Sequence, residues 1–275
     1  MMNSYGFRKF KNYLFFIICS ICVIIAIIPL VSILFEVILR GAPQLSLNFL
    51  TAAASKGGIG PAIQGTLLII SLTSIIGIPT GILAGVYLSE FGNNKYAQSL
   101  RTINNILTQF PSIVIGITAY GIIVLTFGAF SAVAGATALA FIMIPIVTRT
   151  TEESLKLVPN SIREASLALG AHKWRTTLNV VLPTAKNGLI TGALLAVARI
   201  AGETAPLIMT ILGSRFFFQG LNQPMAALPL EIWKNSLQPS PEMQAHGWGA
   251  ALILILIVLT LNIAVRLASR SRMKT

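Results

Sequence analysis

Six runs of mostly apolar residues, each about as long as a bilayer is thick, dominate the chain. They cover approximately residues 14–39, 62–88, 105–127, 130–148, 187–212 and 248–267. About 20 apolar residues in a helix cross the ~30 Å hydrocarbon core. Lipid offers nothing to an unpaired backbone group, and a helix pairs every such group within its own segment. The runs predict an all-α integral membrane protein with about six transmembrane helices. Of 275 residues, 55% are hydrophobic and only 10% charged, whereas a soluble domain carries about a quarter charged residues. Such a chain cannot clothe a water-facing surface. No internal repeat or linker is apparent, so residues 1–275 read as one transmembrane domain, with 149–186 as its long polar loop. Runs three and four, parted only around Gly128–Ala129, should form a tight hairpin.

The first run begins after Arg8, Lys9 and Lys11 and continues uncharged from Leu14 to Phe35, 22 residues. A signal peptide has a shorter apolar core of about 7–15 residues and a small-residue cleavage site. This run is read as a retained helix. Its two cysteines, Cys19 and Cys22, share a helix face within an apolar span and are no metal site. His172 and His246 fall in expected loops on opposite sides of the membrane and read as solvated. No metal-ligand cluster and no nucleophile–base set is visible.

The net charge of +12 is spread along the edges of the apolar runs, which suits the positive-inside rule and anionic lipid better than nucleic acid. With the N-terminus inside, fifteen of the twenty Lys and Arg residues lie on the inner side, including Arg266, Arg270, Arg272 and Lys274 of the tail. Four lie outside (Arg40, Lys56, Arg215, Lys234), and Arg199 lies within a span. Both termini are therefore expected in the cytoplasm.

Gly77, Gly81 and Gly85 repeat every four residues, as do Gly188 and Gly192. Such faces let helix backbones approach in lipid. A gate hinge is the alternative for the first set, because Pro79 leaves the carbonyl of Ile75 without its helical partner.

The loop between the fourth and fifth runs is basic and too polar to insert. Asn160–Ser161 after Pro159 offers a helix start, and Ile162, Ala165 and Leu169 then share a face. Gly170 can end that helix in the left-handed conformation. Trp174, Leu178 and Val181 mark a second short helix, which Pro183 is expected to break. Two amphipathic helices joined at a glycine could simply rest on lipid headgroups. Their apolar faces need a partner. Glu164-Ala165, Gly170, Val180 and Leu182-Pro183 resemble the "EAA" loop of importer permeases of the ATP-binding cassette family, with Ser166 replacing an Ala and Val180 an Ile. The resemblance implies a type I importer permease architecture. It also implies that Glu164, Ala165, Gly170, Trp174, Val180, Leu182 and Pro183 couple the chain to a cytoplasmic ATPase. The chain has no G-x-x-x-x-G-K-[ST] phosphate-binding loop, so ATP and magnesium would be held by that partner and no cofactor by this chain.

Arg199 is expected near the middle of the fifth span, where an Arg costs ~2.5–3.5 kcal/mol on insertion scales. Glu203 follows one turn later, and Pro206 frees a carbonyl beside the pair. Broken backbone at membrane depth is tolerated where it packs on protein or lines a watery path. The pair is either a structural tie between helices or part of a substrate pathway. Ala198–Leu207, ARIAGETAPL, resembles a segment of the PstA family of phosphate permease subunits, as does Asn222–Pro229 in the following loop. That resemblance runs over essentially the whole chain. It implies a multi-pass subunit of a bacterial or archaeal inner membrane, with Arg199 and Glu203 on the phosphate pathway and alternating access driven from outside the chain. The implied partners are a related PstC-like permease subunit, a PstB-like ATPase dimer and an extracytoplasmic PstS-like phosphate-binding protein. Rival readings are a permease for another oxyanion, the partner-type subunit, a secondary transporter or channel, and a membrane enzyme or signalling scaffold.

Overall fold

The computed structural model describes residues 4–271; Arg272 and Lys274 of the charge count lie outside them. Among these residues five helices are long and apolar enough to cross a membrane: Gly6–Gln44, Gly60–Phe91, Ala132–Lys156, Lys173–Ala201 and Pro241–Leu267. The pair Lys95–Gln109 and Ser112–Phe127, bent by 103°, counted as one span, is the third in chain order and makes Pro241–Leu267 the sixth.

The fourth span, Ala132–Lys156, is the axis of the bundle. Some 61% of its most apolar window is buried, against none of the first span's. Ala134, Ala138, Leu139, Met143, Val147 and Leu155 are fully enclosed along it. The glycine faces explain how neighbours come so close. A Cβ on Gly77, Gly81 or Gly85 would lie 2.7, 2.6 and 2.6 Å from Met143, Val147 and Thr151 respectively. The residue order shows that the second and fourth spans run in the same direction. Gly188 and Gly192 meet Ser154 and Thr150 in reverse order, so the fifth span is antiparallel. These glycines are packing positions, and the second span runs through Pro79 as one helix.

Gly128 takes the left-handed conformation (φ 68°) and Ser131 caps the fourth span by accepting from the Ala134 N–H. The hairpin between the third and fourth spans is therefore tight, as expected. The third span itself is a correction. One span over approximately 105–127 was expected, but the run is split at Phe110–Pro111. Proline bars its predecessor from helical geometry, and Phe110 is extended (ψ 134°). Residues 105–109 belong to an amphipathic arm, tied to the fourth span by Asn104, which donates to the Pro145 carbonyl (3.2 Å), and by Arg101, paired with Glu152 (2.7 Å).

The fifth span differs from the expected 187–212 at both ends. It starts at Lys173, because the loop's second helix flows into it, and it stops at Ala201. Pro183 does not break it. A π turn at Thr177–Val181 widens the ladder just before the proline, and the Leu182 N–H donates to the Thr177 carbonyl, five residues back. The extra residue turns the helix. Val181 is therefore fully buried while Trp174 and Leu178, expected on its face, are exposed. The polar loop contracts accordingly: much of 149–186 is helix continuing from the two spans, and residues 157–172 connect them. His246 is a further correction. It is half-buried on the sixth helix with its ring edge-on to Phe49, 5.3 Å between centroids.

Candidate functional site

The site around Arg199 is set by how the fifth span ends. Arg199 is in the last turn of Leu182–Ala201, where a cation also favours the negative end of the helix dipole. It is not at mid-helix. After Gly202 a separate short helix, Ala205–Thr210, begins with Pro206 in its first turn. Glu203 lies in the break, so the pair bridges a gap between helices and the helical i, i+4 geometry expected of it does not apply. The Arg199 guanidinium forms an ion pair with Glu203 Oε1, although that oxygen accepts no well-aligned hydrogen bond. Pro206 is seated against Gly116 of the third span, which fixes the short helix from the far side. Leu212 (φ 58°) and Gly213 (φ 89°) then turn the chain away.

Behind the break, Ile69, Leu139, Ile200 and Leu207 line a void of about 10 Å³, barely room for one water. The core is closely packed there. On the open side, Asn187, Thr191, Leu195 and Arg199 follow one another at four-residue spacing along the fifth span. The first three line a groove of about 430 Å³ with Thr150, Glu153 and Ser154 of the fourth span. The Arg199 side chain, more than half exposed, faces outward from the chain.

The predicted coupling residues fall at the far end of the bundle. Asn160–Ala168 is helical, and Gly170 follows with φ 81°, the left-handed geometry expected of it. Glu164, Ala165 and Trp174 are exposed, Val180 and Leu182 are half-buried, and Pro183 is exposed. Leu169 is 89% exposed, leaving the tip of the loop apolar and uncovered. Ile162 turns the other way, onto Leu155, Val158 and Val181. The expected face of Ile162, Ala165 and Leu169 thus divides between an anchor and an open surface.

Three acid–base contacts that sequence reasoning missed hold this end together. Arg163 pairs with Glu90 (2.9 Å), Arg101 with Glu152 (2.7 Å), and Lys156 with Glu152 (2.7 Å). Arg101 also donates to the Leu88 and Gly92 carbonyls at the end of the second span. The signal was the scarcity of acid: with eight carboxylates against twenty cations, any carboxylate at the end of a span has a cation available.

Residues 77–272 match the model of a family described as binding-protein-dependent transport system inner membrane component. A phosphate transport system permease protein PstA of Haemophilus influenzae is 44% identical over 90% of this chain and 89% of its own length. A probable phosphate transport system permease protein PstA of Methanocaldococcus jannaschii is 37% identical over 97% and 96%. In fold, the chain resembles a chain of a bacterial transporter importing alginate (TM-score 0.71, 12% identity, covering 98% of this chain and 99% of that one). It also resembles one from the inward-facing MetNI methionine transporter (TM-score 0.64, 19% identity, 78% and 96%).

Proposed function

The chain belongs to the binding-protein-dependent transport system inner membrane component family, and from that membership we propose that it forms half of the membrane pore of an ATP-driven importer of inorganic phosphate. It is a multi-pass transport subunit rather than an enzyme, and ATP is hydrolysed on a separate subunit. The observation that carries the phosphate assignment is identity of 37–44% along nearly the whole chain to phosphate permeases from a bacterium and an archaeon. The closely packed core and outward Arg199 suit a half-pore, in which the path runs between this chain and a second permease.

In this reading the second subunit is PstC-like, the ATPase a PstB-like dimer holding ATP and magnesium, and the donor a PstS-like phosphate-binding protein. Arg199 lowers the electrostatic cost of carrying an anion through lipid depth. Glu203 keeps the guanidinium oriented and limits how tightly phosphate is held. Glu164, Ala165, Gly170, Trp174, Val180, Leu182 and Pro183 serve the ATPase contact. Both termini lie in the cytoplasm. Single cysteines at Lys56 and Lys234 should then react with an impermeant reagent on intact cells while one at Lys173 does not; the reverse pattern overturns the orientation.

The deciding experiment is uptake of labelled phosphate by liposomes holding the chain with its candidate partners. Uptake should require ATP and yield to unlabelled phosphate but not to sulfate. Uptake indifferent to ATP would sink the importer, and equal competition by sulfate would sink the substrate.

A further inference from the structure

Glu90 lies in the π turn Tyr87–Phe91 that ends the second span, and its side chain is only 6% exposed. Arg163, on the loop helix Asn160–Ala168, donates to both carboxylate oxygens: Nη2 to Oε1 at 2.9 Å and Nε to Oε2 at 3.4 Å. The same guanidinium donates to the carbonyls of Leu155 and Val158, where the fourth span ends. One residue beyond Glu90, the Phe91 ring lies under the Lys173 ammonium, 4.6 Å from its centroid. Lys173 opens the loop's second helix. Both helices of the loop therefore hold adjacent residues of a single turn.

The loop is covalently continuous with the fourth and fifth spans and would move them in any event. Its connection to the second span is non-covalent and is made here. A forked, charge-assisted contact fixes direction as well as distance. A π turn carries one residue more than an α turn and recurs at functional positions within helices. Above it, Gly77, Gly81 and Gly85 lock the second span onto the fourth, so displacement delivered at the turn reaches the bundle axis.

Building on the proposed function, we infer that the turn Tyr87–Phe91 is where the loop acts on the second span. Glu90 is the positioning residue that converts ATPase motion at the loop into motion of that span. It touches neither substrate nor nucleotide.

The test is the amount of phosphate moved per ATP hydrolysed by the importer reconstituted with its partner subunits. Two variants are compared with the unaltered complex: Glu90→Gln, and Glu90→Gln with Arg163→Gln. The double variant strands no charge and carries the test if the single one assembles poorly. Both should hydrolyse ATP at a near-normal rate per assembled complex, with phosphate per ATP reduced about fivefold or more, as expected when a coupling between distant sites is lost. A normal ratio in the double variant overturns the inference. So does a proportional fall of hydrolysis and transport, which marks a tie needed only for assembly. ATP hydrolysis without phosphate uptake by the unaltered complex overturns the functional reading itself, and this inference with it.

Discussion

Arg199 and Glu203 form an asymmetric pair: the arginine side chain is 58% exposed, and the glutamate side chain is 6% exposed. The carboxylate depends on the guanidinium far more than the reverse. Breaking a buried pair by removing one partner costs ~3–5 kcal/mol because a charge is left uncompensated. Arg199→Gln should therefore lower the amount of assembled complex, and Glu203→Gln should lower it much less. The double variant, with no buried charge, should assemble well and still fail to take up phosphate. Labelled uptake normalised to assembled complex reads this directly. Near-normal uptake by the double variant would reduce Arg199 to a helix tie and end its place on the pathway.

At Gly170 the backbone sits at φ 81°, and nothing lies within 4 Å of a Cβ built there. A side chain meets strain and no collision, at a cost of roughly 1–2 kcal/mol in the left-handed region. Gly170→Leu should keep normal protein levels in the membrane and lose most phosphate uptake, because the second loop helix with Trp174 is redirected. Asparagine tolerates the left-handed region better, so Gly170→Asn should retain more activity. Equal uptake by the leucine variant and the unaltered protein, at equal protein level, removes Gly170 from the coupling surface.

Gly81 and Gly121 make an internal comparison. A Cβ on Gly81 would lie 2.6 Å from the Val147 side chain, whereas one on Gly121 meets nothing within 4 Å. Gly81→Ala should destabilise the purified protein by ~1–3 kcal/mol through overpacking, and Gly121→Ala should leave it near normal. Thermal unfolding in detergent tests this; two indistinguishable curves would show that the second and fourth spans can part at no cost.

Glu231, in the helix Leu228–Ser236 between the last two spans, has its carboxyl raised above the usual range. Burial drives the shift, and the charges of Lys234 and Arg215 oppose it. The folded state thus holds the proton more tightly than the unfolded state. The stabilising contribution is complete below the unfolded pKa of about 4.3 and fades as pH rises through the folded value. Glu231→Gln should raise the unfolding temperature near neutral pH, and the gain should shrink on acidification. A gain that grows toward acid would show that Glu231 is held as a stabilised carboxylate.

Length and hydrophobicity carried the span count, because an apolar run of bilayer length has few other fates. Periodicity placed the glycine faces, and the turn at Gly170 was legible because only the left-handed geometry closes such a helix pair neatly. The errors came from prolines and from burial. Phe110–Pro111 bends a run whose hydrophobicity is continuous, while Pro183 is absorbed by a π turn that no heptad or helical period reveals. Arg199 was placed at mid-helix because apolar residues continue past it, although the helix stops at Ala201. Glu90 and Arg163 stand 73 positions apart, and nothing local to either residue announces the other.

The first span packs chiefly on the sixth, and its most apolar window has no buried residue. Within this chain most of its apolar surface is left uncovered, and the glycine-locked bundle is built from the other spans. It nevertheless sets the parity of the chain. With it the candidate spans among the described residues number six, an even count; without it they number five. Sidedness during insertion and architecture after insertion are thus written in separate parts of one sequence. Arg8, Lys9 and Lys11, in the opening turns of the first helix, carry the charge bias on which sidedness depends, while the small residues of the later helices set how the bundle packs.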